Sequence, residues 1–225
     1  MAELYLVRHG QASFGSDNYD KLSPLGHQQA QWLGDYFRDR NLSFDSILMG
    51  DLVRHRETAE GIAKGMQLQQ PQYQVFSGLN EFDFHALLRV YMEQFPQQAL
   101  AKDAPPSAFY KLLKKSMQLW SHGELEGDLP ETWTQFEERV AEVLKSVQDR
   151  LQGQRVLAVS SGGAISMALR QILQAPSETV IELNLQTRNT GVSHCFFNQR
   201  SLRLSGFNSV PHLDHPERLQ HITFS

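Results

Sequence analysis

The stretch Leu4-Tyr5-Leu6-Val7-Arg8-His9-Gly10-Gln11 decides how this chain is read. Leu4 to Val7 are apolar throughout and β-prone at Tyr5 and Val7, the pattern of a short strand buried inside a sheet. The run stops at Arg-His-Gly, and Gly10 permits a tight exit with close approach of a ligand to backbone amides. A guanidinium and an imidazole therefore stand side by side at the carboxyl end of a strand, where open parallel sheets bind ligands. Neutral imidazole is a nucleophile near neutral pH, and arginine receives phosphate oxygens in bidentate fashion. The pairing points to phosphoryl transfer onto His9.

The sequence that follows predicts an α/β fold. Leu22-Ser23-Pro24-Leu25-Gly26 opens a helix, with Ser23 as N-cap and Pro24 at the first helical position. Ala30, Leu33, Gly34 and Phe37 recur at helical spacing along it. Ser46 to Met49 read as a second buried strand, Glu57 to Lys64 as part of the next helix, and Gln74 to Ser77 as a weaker third strand. Such alternation predicts a mostly parallel sheet sandwiched by helices. Arg155 to Ser160 form a further strong strand that runs into Ser161-Gly162-Gly163 and a helix carrying Ile165, Ala168, Leu169 and Ile172. Free N–H groups and the helix dipole make that junction a natural anion site, although the Gly-x4-Gly-Lys spacing of nucleotide-binding loops is absent. Val192 to Phe197 and Leu202 to Phe207 predict an antiparallel pair that completes the sheet.

From about residue 82 to 150 the pattern is purely helical. Phe84, Leu87, Leu88, Tyr91, Met92 and Phe95 mark one amphipathic helix, and Phe109, Leu112, Leu113, Met117 and Trp120 a second. Thr132 or Thr134 caps a third, which carries Phe136, Val140, Val143, Leu144, Val147 and Leu151. Asp103-Ala104-Pro105-Pro106 and Ser121 to Pro130 are the intervening loops. This region is expected to be a helical insertion over the active site, forming one of its walls, with Phe82, Phe84 and Trp120 as residues that could shape specificity. No repeat or linker divides residues 1–225, so a single domain is expected.

Composition narrows the class. The chain has 225 residues, 40% hydrophobic and 20% charged, and suits an ordinary globular protein. A net charge of −4 and a pI near 6.1 argue against a general nucleic-acid or anionic-membrane binder, so any basic site is a local pocket. The lone cysteine, Cys195, excludes an intramolecular disulfide and reads as a buried small hydrophobe. No signal peptide and no run of ~18 apolar residues is evident, and the expected location is cytoplasmic. The C-terminal His212, Asp214, His215 and His221 match no strong metal signature, and no metal is expected.

Taken together, the motifs resemble the histidine phosphatase superfamily, in its phosphoglycerate mutase-like branch. Leu6-Val7-Arg8-His9-Gly10-Gln11 is similar to its opening motif. Asp51-Leu52-Val53-Arg54-His55-Arg56-Glu57-Thr58-Ala59 resembles the second, in which an Arg precedes a Thr-Ala pair by four residues. Leu79-Asn80-Glu81-Phe82 resembles the third, Leu22 to Gly26 the first helix start, and Asn208 to Leu213 the C-terminal segment. The resemblance implies a metal-independent, cofactor-free phosphatase acting on a small phosphorylated substrate or a phosphoprotein. His9 would be the nucleophile, Arg8 and Arg54 would bind the equatorial oxygens, and Glu81 would protonate the leaving group. A desolvated Glu81 near phosphate should have a raised pKa. Apart from the resemblance, Arg54-His55-Arg56-Glu57 reads as a solvated helix face, Glu81 as a surface carboxylate, and His85 as structural or a pocket neighbour.

One departure bears on rate. The family's fourth motif usually reads Val-Ser-His-Gly-Gly, whereas here it is Val159-Ser160-Ser161-Gly162-Gly163. The Ser161 hydroxyl and the Gly162 backbone are retained as substrate-binding groups, but Ser161 cannot carry an imidazolium's charge. Loss of one transition-state donor costs about 10²–10³-fold, softened here by the hydroxyl. Gly15 and the Gly50-Asp51 pair also sit where the family commonly has polar or Ser-Pro residues. A weakly active phospholigand-binding module and a phosphomutase are the competing readings, and the oligomeric state is left open.

Overall fold

A computed structural model describes residues 2–13, 20–101 and 104–224. Gly15 and Asp103, both noted in the sequence, lie outside the described residues. The centre of the fold is strand β1 (Ala2–Arg8), which pairs in parallel with β4 (Arg155–Ser160) on one side and antiparallel with β5 (Val192–Asn198) on the other. With β2 (Ser46–Met49), β3 (Tyr73–Val75) and β6 (Ser201–Ser209) the sheet order is β3-β2-β4-β1-β5-β6. β1 to β4 form the parallel part and β5–β6 the antiparallel edge. The architecture is the mixed α/β fold expected from the sequence.

Alternation along each strand sends side chains to two cores. Val7, Ile47, Met49, Leu157 and Val159 face one side. Helices α1 (Pro24–Asp39) and α2 (Val53–Gly65) cover it with Ala30, Leu33, Phe37, Ala59 and Ile62. Leu4, Leu6, Leu48, Val156 and Ala158 face the other side, where the inserted helices α3 (Phe84–Gln94), α4 (Pro106–His122) and α5 (Trp133–Arg150) pack together with α6 (Gly162–Leu173). A short α7 (Glu178–Asn184), absent from the sequence reading, packs against α4 and α6.

Capping follows the sequence. The Ser23 hydroxyl accepts from the Gly26 N–H at α1, with Pro24 following it. Asp83 caps α3 by accepting from Ala86, and Thr132, rather than Thr134, forms a capping box with Gln135 at α5. Gly123 closes α4 in the left-handed conformation, φ 70°. Cys195 is buried in β5. Among the described residues no helix is long and apolar enough to cross a membrane.

The C-terminal histidines do not assemble, and no metal-holding group of His, Cys, Asp or Glu is found among the described residues. His212 is instead a buried strut. The Thr190 hydroxyl donates to the Asn189 carbonyl at 2.7 Å and accepts from His212 Nε2 at 2.8 Å. Burial, and then the Arg218 guanidinium, push the His212 imidazole down to about 3. It stays neutral in the folded chain and gains a proton on unfolding below its ordinary 6.5. Its stabilisation is therefore fully present above that pH and falls by about 1.4 kcal/mol per pH unit below it. His212→Gln, which keeps a donor for Thr190 without titrating, should show a smaller fall in Tm between pH 7 and 5 than the parent. Equal falls in scanning calorimetry would assign the acid sensitivity elsewhere.

Candidate active site

The loop leaving β1 is held from three directions. The His9 N–H donates to the Ser160 carbonyl at 2.9 Å, closing the last rung of the β1–β4 ladder at the end of both strands. The Gly10 N–H donates to the Thr58 hydroxyl at 3.0 Å, and that hydroxyl donates to the Arg54 carbonyl at 2.7 Å. The four-residue spacing from Arg54 to Thr58 is thus one helical turn, with Arg54 and the loop clamp on one side of α2. From the C-terminal side, Asn189 Nδ2 donates to the His9 carbonyl at 3.2 Å.

The His9 ring is only 4% exposed. Its Nδ1 lies 2.7 Å from the Gly10 carbonyl, which can only accept, so Nδ1 carries the proton and Nε2 presents a lone pair. Burial first, then the charges of Arg54 and Arg8, hold the imidazole well below its usual range. His9 is a neutral imidazole.

Two guanidiniums flank it. Arg54, buried on α2, pairs with Asp20 at 2.7 Å, while the other Asp20 oxygen accepts from the Val53 N–H at 3.0 Å. Arg8 donates to the carbonyls of Thr187 and Phe224, which fix its plane from the C-terminal side. The charged run 54–57, expected as a solvated face apart from the family resemblance, is instead divided. Arg54 and His55 are buried, Arg56 is exposed, and Glu57 accepts from the Leu22 N–H at 2.7 Å.

Glu81 enters from the segment after β3. The Ser160 hydroxyl donates to the Leu79 carbonyl at 2.6 Å, and Arg139 of α5 donates to the carbonyls of Gly78 and Asn80 at 3.0 and 2.9 Å. The carboxylate then accepts from the Gly163 N–H at 3.0 Å and the Phe82 N–H at 3.2 Å. Burial raises its pKa, and the Gly163 N–H, Arg54 and Arg8 pull it only partly back. Glu81 is half-buried rather than an exposed surface carboxylate, and desolvation raises its pKa. The start of α6 is also less open than the sequence implied, because the Gly163 N–H already serves Glu81.

Gly162 and Ser161 complete the constellation. A Cβ at Gly162 would lie 2.5 Å from Asn184 Oδ1 and 2.7 Å from Thr187 Oγ1, so only glycine fits there. Ser161 is the N-cap residue of α6 yet makes no capping bond, and its Oγ lies 2.7 Å from His55 Nε2. The His55 ring is buried, with its centroid 5.8 Å from that of His9.

The supporting residues Asp20, His55, Arg139 and Asn189 were not singled out in the sequence. For His55 a signal existed. Residues 55, 58, 59 and 62 share the buried face of α2 at helical spacing. Asp20 and Asn189 act across long sequence separations and left no local trace.

The expected specificity wall is corrected. Trp120 and Phe82 are 4% exposed and belong to an aromatic core with Trp133 and Phe136, in which Trp120 stacks on Phe136 at 5.6 Å. Phe84 is half-buried against His85 and Phe109. His85 is exposed and lines a surface cleft with Asp83, Ala86, Arg89, Asp128 and Pro130. The insertion reaches the site chiefly through Arg139, which grips the backbone on either side of Leu79.

Residues 4–210 match the model of the histidine phosphatase superfamily, branch 1. The chain belongs to that superfamily. A probable phosphoglycerate mutase GpmB of Salmonella choleraesuis is 28% identical over 227 residues, covering 96% of this chain and 97% of that one. Among solved structures, a putative alpha-ribazole-5'-P phosphatase from Escherichia coli is similar at TM-score 0.69 and 22% identity, over 93% of this chain and 97% of that chain. A phosphoserine phosphatase from Entamoeba histolytica, in complex with 3-phosphoglyceric acid, is similar at TM-score 0.66 and 21% identity, over 95% and 100%. At such identities these likenesses concern the fold.

Within this superfamily site, Gly163 is the backbone position that packs directly on Glu81. A Cβ there would fall 2.2 Å from Glu81 Oε1 and 2.6 Å from the Phe82 ring. Gly163→Ala should displace the carboxylate while leaving the sheet intact. The expected outcome is a loss of about 10²-fold in kcat on an alkyl phosphate, the low end of what a positioned acid contributes, with an unchanged far-ultraviolet spectrum. Unaltered kcat in the folded variant would show that Glu81 does not depend on this contact.

Proposed function

We propose that the chain is a phosphatase that hydrolyses phosphomonoesters through a phosphohistidine at His9. The observation that carries this reading is a neutral imidazole with Nε2 bare, beside two guanidiniums and a carboxyl whose pKa is raised. A nucleophile whose pKa is lowered and an acid whose pKa is raised are shifted in the directions that in-line phosphoryl transfer requires of its two proton-sensitive groups.

In the first step the His9 Nε2 lone pair forms the P–N bond as the ester P–O bond breaks. Arg8 and Arg54 bind the equatorial oxygens as charge redistributes. The leaving oxygen takes the Glu81 proton. Nδ1 keeps its proton and its bond to the Gly10 carbonyl, which stabilises the positive charge of the phosphorylated ring. In the second step water attacks phosphorus, the P–N bond breaks, and Glu81 carboxylate takes the water's proton, giving inorganic phosphate and neutral His9. Ser161 and the Gly162 backbone complete the phosphate-binding set. The 28% identical relative carries a mutase name, so return of the phosphoryl group to a bound product is the second reading.

Brief incubation with a reactive phosphomonoester should label His9 with an acid-labile, alkali-stable phosphate, in the presence of EDTA, and His9→Ala should abolish the label. Absence of label together with inactivity on a broad substrate panel would favour a binding module, and turnover dependent on a bisphosphate primer would favour the mutase.

The pH profile tests the acid. The lowered His9 value places the acidic limb of kcat/KM below 6.5, and the raised Glu81 value moves the basic limb above the 4.5 of an ordinary glutamate. Glu81→Gln should remove the basic limb and slow alkyl phosphates by about 10²–10⁴-fold. It should slow p-nitrophenyl phosphate, whose leaving group needs no proton, much less. Equal losses on both substrates would take Glu81 out of the proton transfer.

A further inference from the structure

His55, buried against the phosphate-binding Ser161, takes no part in the proposed chemistry. Serine is a favoured N-cap, yet Ser161 at the head of α6 leaves that task undone and commits its Oγ to His55 Nε2 at 2.7 Å. Both residues are fully buried, the two histidine rings are 5.8 Å apart, and the Arg8–Ser160 pairing sets Ser161 beside the nucleophile. The pair packs directly behind His9 with no accessible surface of its own, so a phosphoryl group meets the hydroxyl only from within the His9 pocket.

The direction of the His55–Ser161 bond follows from the other ring nitrogen. His55 Nδ1 is buried with no hydrogen-bond partner among the described residues, and a Cβ at Gly50 would stand 2.2 Å from it. A buried N–H without an acceptor is rarer and costlier than a bare acceptor. The proton of the neutral ring therefore sits on Nε2 and donates to Ser161 Oγ. That leaves the hydroxyl hydrogen free for another acceptor, and makes it a stronger donor through polarisation by the imidazole.

We infer that Ser161 donates its hydroxyl proton to a phosphoryl oxygen in the transition state, and that His55 is the positioning residue that fixes this orientation. The inference rests on the proposed phosphatase reading of the same site. It assigns the missing imidazole of the Ser161-Gly162-Gly163 motif to α2: the ring approaches from the helix, and a hydroxyl bridges the remaining gap.

The test compares His55→Leu, Ser161→Ala, their double variant and His55→Gln, whose terminal amide can donate where Nε2 does. His55→Leu and Ser161→Ala should each lower kcat by about 10- to 100-fold, below the loss of a full oxyanion donor, with KM within about threefold. The double variant should be no worse than either single, because the two act as one unit, and His55→Gln should recover most of the rate. Vanadate, a trigonal-bipyramidal mimic, gives a readout independent of turnover. Calorimetry should show it binding His55→Leu at least tenfold more weakly while inorganic phosphate affinity stays within threefold. Independent, multiplying losses, a His55→Gln variant no better than Leu, or unchanged vanadate affinity in folded His55→Leu would overturn the inference. A wild type that forms no phosphohistidine yet shows the vanadate coupling would sink the phosphatase reading and leave the pair standing.

Discussion

The hydrogen bond from the His9 N–H to the Ser160 carbonyl is the contact on which the site depends. It adds one rung to the β1–β4 ladder and ties the nucleophile to the strand that launches α6. The same Ser160 sends its hydroxyl to the Leu79 carbonyl, two residues before Glu81. One residue thus joins His9, Glu81 and the α6 N-terminus, three pieces separated by more than seventy positions at each step along the chain. Parallel pairing makes this possible, since both strands end at the same edge of the sheet.

The electrostatics of the site follow from burial. Burial disfavours a charged imidazole at His9, and the two guanidiniums held near it oppose a further positive charge, so His9 is neutral. The arginines are not left bare. Asp20 pairs with Arg54 and caps the start of α2, whereas Arg8 is held by carbonyl dipoles. Glu81 is both drawn down by the guanidiniums and pushed up by desolvation, and the push prevails. A phosphate dianion entering such a pocket would push the acid further up and so reinforce its protonated state.

Much of this was legible in the sequence because it is written in local periodicity. β1, β2 and β4 are apolar runs that end at chemistry, and α1, α3 and α5 announce themselves by caps and stripes. The weak β3 was legible by its place in the alternation, its side chains being half exposed at the sheet edge. What failed to show was what arises only when distant segments meet. Asp20 and Asn189 reveal nothing until α2 and the C-terminal loop are packed against residues 8–10. Trp120 and Phe82 looked like possible walls because aromatic residues near a site line either a pocket or a core, and only packing tells which. His55 was hidden by its charged neighbours Arg54, Arg56 and Glu57, although its spacing to Thr58, Ala59 and Ile62 marks the buried face.

Two departures from the family pattern, Ser161 and Gly50, meet at the His55 ring. The Ser161 Oγ stands 2.7 Å from His55 Nε2 and both residues are fully buried, so the ring fills the space beside the hydroxyl. The ring in turn needs room on its far side. Gly50 supplies it, because any Cβ there would lie 2.2 Å from Nδ1 and 2.9 Å from Cε1 of His55, far inside van der Waals contact. A larger residue at 50 would drive the imidazole off Ser161. The glycine at the end of β2, the histidine on α2 and the serine after β4 are therefore a coupled set.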